Sequence, residues 1–348
     1  MRKKGLALLV VALAALLSVA AAGARNTGNK DVAIAGAGSS LVAPLVQQWI
    51  APLGSAYGYS VTYASVGSGT GIAQISARTV DFGASDAPLN DQQAAGCNGC
   101  VEIPWALSAT ALSYNIPGVP NDLHLDGRTI AGIFLGQIKN WNDPAIAKLN
   151  PKLNLPDLNI TPVHRSDGSG DTYAFTDYLS SVSSTFKSQV GNATLVSWPG
   201  GVGASGNAGI AGVLSSTQGA IGYVSAAYLI PNHLKVVAVK NASGFFATPG
   251  LRGIEAAARA FPKASLGPNG VEMHIVNPPK SDKKAYPIST YTYVIVPKST
   301  AKAAELRKMI FWSLTQGQKF GPKLVFAQIP KPVLSASEKA LTLIKPGT

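Results

Sequence analysis

The sequence has few charged residues, only two cysteines and no long hydrophobic run after its first 24 residues. Charged residues make up 13% of the 348-residue chain, well below the roughly 25% of an average globular protein. Together with 46% hydrophobic residues, this composition excludes a chain that is disordered throughout. Two cysteines are too few for a small domain held together by disulfides. The length predicts two domains, each with its own core.

The N-terminal segment has the pattern of an export signal. Met1 to Lys4 is positively charged, Gly5 to Val19 is uncharged and apolar, and small residues follow from Ala20 to Ala24. We interpret residues 1–24 as a cleaved signal peptide, because the apolar run is shorter than a membrane anchor needs. The segment has no cysteine at its end, so we expect no lipid anchor. A Gram-negative periplasm fits these features best.

The two cysteines, Cys97 and Cys100, have the C-x-x-C spacing of redox motifs and of half zinc sites. A zinc site needs two more ligands, and the four histidines stand singly without metal spacing. The pair also lies in a glycine-rich turn rather than at the start of a helix. We therefore predict a small structural disulfide, no metal site and no cofactor.

Short β-branched or apolar runs alternate with helical patterns along the whole chain, which predicts an α/β fold with two domains. The predicted strands are 60–66, 80–84, 111–115, 220–224, 235–239 and 291–296. The predicted helices are 43–57, 71–77, 129–135, 143–149, 172–180, 207–215, 253–260, 301–314 and 336–343.

Three glycine- and serine-rich segments precede predicted helices, at residues 36–44, 67–71 and 165–172. Glycine allows a ligand to approach the backbone, hydroxyls add donors, and helix N-termini carry partial positive charge. Each segment alone is compatible with an ordinary helix cap, but three in one chain favour an anion site. None has the Gly-Lys-Ser/Thr of a Walker A loop or the dinucleotide-binding fingerprint, so nucleotide hydrolysis is not supported.

These segments resemble the periplasmic phosphate-binding proteins (PstS type) that serve ABC phosphate importers. The resemblance rests on Gly-Ala-Gly-Ser-Ser at 36–40, Gly-Ser-Gly at 67–69, Val-Asp-Phe-Gly-Ala-Ser-Asp-Ala-Pro at 80–88 and Arg-Ser-Asp-Gly-Ser-Gly at 165–170. Further similar stretches lie at 130–151, 219–223 and 285–288, so it covers nearly the whole chain after the leader.

The resemblance implies a bilobal, type II Venus-flytrap fold that closes around phosphate. One lobe would combine residues 27–114 with 285–348, the other would span 115–284, and Ala111 to Asn115 and Tyr286 to Ile288 would form the hinge. The implied function is to bind phosphate and deliver it to a membrane permease, as a monomer without enzymatic activity. The implied phosphate contacts are Ser40, Leu41, Ser68, Asp86, Arg165, Ser169, Gly170 and Asp171.

Residue chemistry assigns roles to the charged members of this set. Arg165 can donate two charge-assisted hydrogen bonds to an oxyanion. Asp86 can accept the proton of a phosphate P–O–H, which sulfate lacks, although its place before Pro88 also suits a turn cap or a surface ion pair. Asp171 replaces the hydroxyl residue common in the family; it either orients Arg165 or accepts a second phosphate proton. Asp167 is expected to be a turn residue.

Other functions are compatible with parts of the sequence. Another protonated oxyanion such as arsenate, or a secreted phosphate scavenger without a transporter, fits the same motifs. A phosphatase would need a metal cluster or an activated nucleophile, and no histidine lies in the three segments, although His164 stands directly before Arg165. The net charge of +12 is dispersed rather than arranged in a basic stripe, which argues against nucleic-acid binding and suits electrostatic capture of a small anion.

Overall fold

A computed structural model describes residues 32–121, 123–280 and 282–347. The signal peptide predicted over residues 1–24, and the start of the first predicted lobe at residue 27, lie outside the described residues. No helix within the described parts is both long and apolar enough to span a bilayer.

The structure is a mixture of strands and helices, which confirms the α/β expectation. The strands are β1 (Val32–Gly38), β2 (Tyr59–Ser65), β3 (Phe82–Ser85), β4 (Cys100–Tyr114), β5 (Leu123–Leu125), β6 (Thr161–Arg165), β7 (Val202–Ala204), β8 (Ala220–Ser225), β9 (Lys235–Lys240), β10 (Phe246–Ala247), β11 (Ser265–Gly267), β12 (Gly270–Glu272), β13 (Ser289–Pro297), β14 (Ser299–Thr300) and β15 (Lys345–Pro346).

The helices connect these strands, and short 3₁₀ turns lie at 226–228, 316–320, 322–324 and 341–343. The α-helices are α1 (Ala43–Tyr57), α2 (Ser68–Ser76), α3 (Asp91–Gly96), α4 (Gly127–Phe134), α5 (Pro144–Ala147), α6 (Gly170–Val182), α7 (Ser184–Gln189), α8 (Gly206–Ser216), α9 (Leu251–Arg259), α10 (Ala303–Leu314) and α11 (Lys331–Ala340).

Thirteen of the described strands form one sheet whose main path is β2-β1-β3-β13-β4-β8-β6-β7. Strand β4 links its two parts. Its residues 100–109 pair antiparallel with β13, and its residues 110–114 pair antiparallel with β8. We call the strands on the β13 side, with β4 up to residue 109, the first sheet segment, and those on the β8 side the second. Every residue of β4 is buried, so the link between the segments is also part of the core.

The parallel strands determine where a ligand can bind. In the first segment, β1 is parallel to β2 and β3; in the second, β6 is parallel to β7 and β8. The chain passes from the carboxyl ends of β1, β2 and β6 into α1, α2 and α6. Ligands of α/β proteins bind in the crevice at such carboxyl ends, where helix N-termini also point. The fold therefore places all three glycine- and serine-rich segments at ligand-binding positions.

Cys97 and Cys100 are linked by a disulfide bond and their Cα atoms lie 5.6 Å apart. They belong to a small buried cluster with Ile72, Ile75 and Ile295, separate from the main core. The guanidinium group of Arg78 closes this cluster. It donates to the carbonyl oxygens of Ile75 and Cys97 at 2.6 and 2.8 Å, and its Nη1 lies 3.3 Å from Cys100 Sγ. The disulfide thus holds the turn between α3 and β4 against α2.

Candidate functional site

Asp86 follows β3 directly and is 2% exposed. Ser39 Oγ, at the end of β1, donates to both carboxylate oxygens at 2.7 and 2.6 Å. Thr292 Oγ1, from β13, donates to Oδ1 at 2.8 Å. Three neighbouring strands of the first sheet segment therefore position this carboxyl group. It does not form the turn cap or surface ion pair that its spacing also allowed.

Ser68 and Gly170 bring the two sheet segments into contact beside Asp86. Ser68, the first residue of α2, accepts at its Oγ from the backbone N–H of Asp86 at 3.3 Å and from that of Gly170 at 3.0 Å. Next to it, the Gly69 N–H donates to the Gly168 carbonyl oxygen at 3.0 Å. Gly67 has φ +87°, and a Cβ there would lie 2.4 Å from Asp167 Oδ2. Only glycine suits this position, because both its backbone angle and the space require it.

Arg165 ends β6 and is 2% exposed. Asp167 holds it through two contacts: Arg165 Nε donates to Asp167 Oδ1 at 2.6 Å, and Nη2 donates to Oδ2. The opposite terminal nitrogen, Nη1, lies 3.6 Å from Asp171 Oδ2. A guanidinium group has five N–H donors, so three remain on Nη1 and Nη2 after Asp167 has taken two. Asp167 therefore does more than shape a turn, since it orients Arg165.

Asp171 lies in the first turn of α6 and is 1% exposed. Its Oδ1 accepts from Thr110 Oγ1 at 2.7 Å, and its Oδ2 accepts from Asn207 Nδ2 at 2.7 Å. The same Asn207 amide donates to Ser40 Oγ at 2.9 Å, and its Oδ1 accepts from the Ser225 N–H at 2.7 Å. Asn207 thus joins the loop after β1 to α6 across the boundary between the two sheet segments.

The remaining predicted positions lie at the same place in the fold. Ser169 is the N-cap of α6, and its Oγ accepts from the Thr172 N–H at 3.3 Å. The Leu41 N–H donates to Ser39 Oγ at 3.0 Å. The structure therefore brings the loop around Ser40 and Leu41 together with the start of α6, which are distant in sequence.

The electrostatics of the site follow from one buried cation among three carboxyl groups. Burial raises the pKa of Asp86 to about 7, and the charge of Asp171 adds to this rise. Burial likewise raises the pKa of Asp171, against the opposing effect of Arg165. Asp167 is the exception: burial favours its neutral form, but its hydrogen bonds and charge interaction with Arg165 outweigh this and lower its pKa. The closed site therefore favours protons near Asp86 and Asp171.

Several residues of the site carried no recognisable sequence signal. Thr292 and Thr110 lie inside the buried strands β13 and β4, where threonine is a common residue, so neither stands out as polar chemistry. Asn207 begins a helix after a Ser-Gly turn, a pattern that indicates a cap. Ser39 lies within the first glycine-rich segment but is not among the predicted phosphate contacts. Only the strand pairing shows that these side chains converge.

Comparisons with known proteins identify the fold and the family. The model of the PBP superfamily domain matches residues 19–314. The phosphate-binding protein PstS of Xylella fastidiosa (strain Temecula1) is 40% identical over 306 residues, which are 87% of this chain and 83% of that protein. PstS of Pasteurella multocida is 37% identical over 307 residues, covering 86% of this chain and 87% of the relative.

A solved structure has the same fold at low sequence identity. The periplasmic phosphate-binding protein PfluDING, determined with bound phosphate, superposes with a TM-score of 0.69 and 20% identity, over 87% of this chain and 92% of its own. This confirms the bilobal binding-protein fold, and strand β4 links the two sheet segments. Because the superfamily model spans most of the chain and PstS proteins match it at 37 to 40% identity over more than four fifths of their length, the chain belongs to the PstS family of phosphate-binding proteins.

Proposed function

We propose that the chain binds inorganic phosphate between its lobes and delivers it to the membrane permease of an ABC-type importer. The observation that carries this proposal is that Arg165, a strong anion-binding group, is buried in the same site as Asp86, a proton acceptor whose pKa is raised by burial against the opposing charge of Arg165. The relatives' name, phosphate-binding protein PstS, supports the same ligand. Delivery requires no bond to be made or broken, so we propose a monomeric binding protein that acts in the periplasm after signal-peptide cleavage, not an enzyme.

We propose that one lobe combines residues 27–114 with residues 285–348, and that residues 115–284 form the other. The pairing of β4 with β13 before residue 110 and with β8 after it supports a hinge near Ala111. The hairpin of β11 and β12 lies between these boundaries in sequence, yet Gly270 pairs with Glu102 of β4. It therefore reaches back to the first lobe, where the structure packs it against α11.

The proposed phosphate contacts come from both lobes. The loop after β1 and the starts of α2 and α6 supply hydroxyl and backbone N–H donors. The Arg165 guanidinium group supplies charge-assisted donors, and the Asp86 carboxyl group supplies one acceptor. In this arrangement Asp171 orients Arg165 from the side opposite Asp167, which the 3.6 Å distance between Arg165 Nη1 and Asp171 Oδ2 supports. The proposed contacts are Ser40, Leu41, Ser68, Asp86, Arg165, Ser169, Gly170 and Asp171.

Titration calorimetry tests this function. Protein stripped of endogenous ligand should bind phosphate tightly at a one-to-one ratio, also in a large excess of sulfate. The absence of any phosphate heat would exclude phosphate as the ligand. Binding that sulfate abolishes would show an anion site without selectivity for protonated oxyanions.

Replacing Asp86 with asparagine should remove the discrimination against sulfate. The Asp86 carboxylate accepts a proton from phosphate but repels the fully ionised sulfate oxygen, whereas the asparagine amide can donate to either ion. We expect sulfate to compete with phosphate about tenfold or more better in Asp86→Asn, since a buried charge contact is worth more than about 1.4 kcal/mol. Calorimetric competition measures the ratio directly.

Asp91→Asn is the matched control for this experiment. Asp91 lies in the first turn of α3 and is exposed, so the substitution removes the same charge outside the site. Its selectivity should equal that of the unmodified chain. If Asp86→Asn also keeps the original selectivity, Asp86 does not discriminate between the two ions.

Phosphate binding should be accompanied by proton uptake near neutral pH. In the closed site, burial raises the pKa of Asp86 to about 7 and also raises that of Asp171; in an open cleft, water would return both toward their ordinary values. Closure therefore binds protons, so affinity should fall as the pH rises through about 7. Calorimetry at about pH 7.5 in buffers of different ionisation enthalpy should show binding heats that differ between buffers.

Asp86→Asn should reduce the buffer dependence of the binding heat, because asparagine does not titrate. Asp171→Thr should reduce it further when combined with the first substitution. Identical heats in all buffers, with constant affinity from acidic to alkaline pH, would contradict the predicted coupling.

A further inference from the structure

A hairpin and an adjacent loop of the second lobe form a basic surface with an aromatic tip, which we call the basic tip. It comprises Lys240 to Phe246 together with Lys280, Lys283 and Lys284. Phe245 is 47% exposed. Lys283 Nζ lies 5.3 Å from the centre of its ring, and Lys240 Nζ lies 5.8 Å from that of Phe246. The tip therefore presents an exposed aromatic ring with the Lys283 ammonium group over it, and further lysines lie on the same two pieces of chain.

Hydrogen bonds from Asn241 hold the two pieces of the basic tip together. Its Nδ2 donates to the carbonyl oxygens of Lys283 and Ala285 at 3.0 and 3.1 Å, and its Oδ1 accepts from the Phe245 N–H at 3.1 Å. Ser243 Oγ adds a bond to the Lys280 carbonyl oxygen at 3.0 Å. The backbones of the hairpin and of the loop are thus held together, so the aromatic ring and the lysines are carried on one joined surface.

A shallow cavity of about 270 Å³ opens directly beside the hairpin. Its lining includes two cations, Arg128 and Lys240, and one carboxyl group, Asp126. Asp126 accepts a hydrogen bond from the Thr129 N–H at 2.9 Å as the N-cap of α4. The acidic group within the loop, Asp282, lies 3.6 Å from Arg259. Cations therefore dominate the surface that faces outward.

We propose that the basic tip binds the surface of a membrane that contains anionic phospholipid. An exposed aromatic ring can enter the boundary between headgroups and acyl chains while lysine side chains extend to the phosphate groups. Each lysine near an anionic surface adds attraction within one Debye length. The cavity beside the hairpin offers Arg128 and Lys240 to a single headgroup phosphate. The inference goes beyond phosphate transport and does not rest on it.

An anionic membrane fits the basic tip better than an acidic protein does. A protein partner of standard size requires an apolar core surrounded by polar contacts over a large area, whereas the tip offers one protruding ring among dispersed positive charges. A bilayer adapts to such a shape, since it needs neither a fixed register nor complementary pockets. Binding in this orientation would keep the chain close to the membrane that holds a permease.

Vesicle sedimentation tests the proposal. The purified chain should bind vesicles of phosphatidylglycerol and phosphatidylcholine at low salt, and should bind neither phosphatidylcholine alone nor the mixed vesicles at high salt. Phe245→Ser combined with Lys280→Glu and Lys283→Glu should lower the bound fraction about tenfold or more. Every variant carries the same N-terminus, so any contribution of the leader is common to all of them.

A matched triple variant provides the control. Phe311 is 48% exposed on α10, and Lys331 and Lys339 are exposed on α11. Phe311→Ser with Lys331→Glu and Lys339→Glu therefore makes the same chemical change elsewhere and should leave vesicle binding unchanged. Both triple variants should retain phosphate binding. If the unmodified chain does not bind phosphate, this result contradicts the transport function only, because vesicle binding is measured without phosphate.

A tryptophan at the tip reports insertion directly. In Phe245→Trp, lipids with brominated acyl chains should quench the additional fluorescence, whereas in Phe311→Trp they should not. Three results would overturn the proposal: equal sedimentation of the two triple variants, no quenching in Phe245→Trp, or binding only to membranes that contain a permease. The last result would identify a protein partner.

Discussion

Arg165→Met should weaken phosphate binding by about a hundredfold to several thousandfold. Removing one partner of a buried charge cluster costs about 3 to 5 kcal/mol, and each 1.4 kcal/mol is about a tenfold change in affinity. The loss is large here because Asp86, Asp167 and Asp171 would then face the ligand without this compensating cation. Titration calorimetry gives the affinity, and circular dichroism shows whether the variant remains folded.

Arg165→Lys separates charge from geometry in the same position. Lysine keeps the positive charge but loses the fork through which Asp167 orients the guanidinium. Its affinity should therefore lie between that of the unmodified chain and that of Arg165→Met. An Arg165→Met protein that is folded and binds phosphate normally would show that the backbone donors alone hold the ligand.

Gly170→Ala should reduce phosphate affinity by about fivefold to a hundredfold without destabilising the free protein. A Cβ at this position would lie 2.4 Å from Asp86 Cβ and 2.7 Å from its backbone nitrogen, across the boundary between the lobes. Overpacking costs about 1 to 3 kcal/mol or more, and here it opposes closure alone. Gly170 begins α6, where alanine suits the backbone. Calorimetry and thermal unfolding without ligand measure the two effects separately.

Gly212→Ala is the control for this separation. Gly212 lies within α8, is exposed, and a Cβ there would contact nothing within 4 Å. Alanine should stabilise this helix by up to about 1 kcal/mol and leave phosphate affinity unchanged. If Gly170→Ala instead lowers the unfolding temperature and leaves phosphate affinity unchanged, the contact between residue 170 and Asp86 does not form during closure.

Periodicity predicted the helices better than the strands. The helix predicted over 43–57 is α1, and the one predicted over 207–215 is α8 to within one residue at each end. By contrast, only 111–115 was predicted as strand where β4 runs from Cys100 to Tyr114. Its residues are buried on both faces, so they lack the alternation of polar and apolar side chains by which a half-exposed strand is recognised.

Those residues of the candidate site that lie in a local sequence motif were predictable from the sequence. Asp86, Arg165 and Ser68 lie in motifs shared with the family, and the structure brings them together. Asn207 and Thr292 lie far from these motifs and reach the site only through strand pairing and helix placement. Asp167 was expected to be a turn residue, because Asp-Gly is a turn signal; its ion pair with Arg165 depends on a loop conformation that the spacing does not specify.

The position of β13 affects the order in which the chain can fold. This strand lies between β3 and β4, yet it is the last long strand to be synthesised. Strands β1 to β3 pair with one another, but the other edge of β3 must wait for residues more than half the chain length away, and the first sheet segment stays open at its centre until then. Pairing over such a sequence distance is slow. We therefore expect the first sheet segment to be completed only late in folding, after β13 has been synthesised.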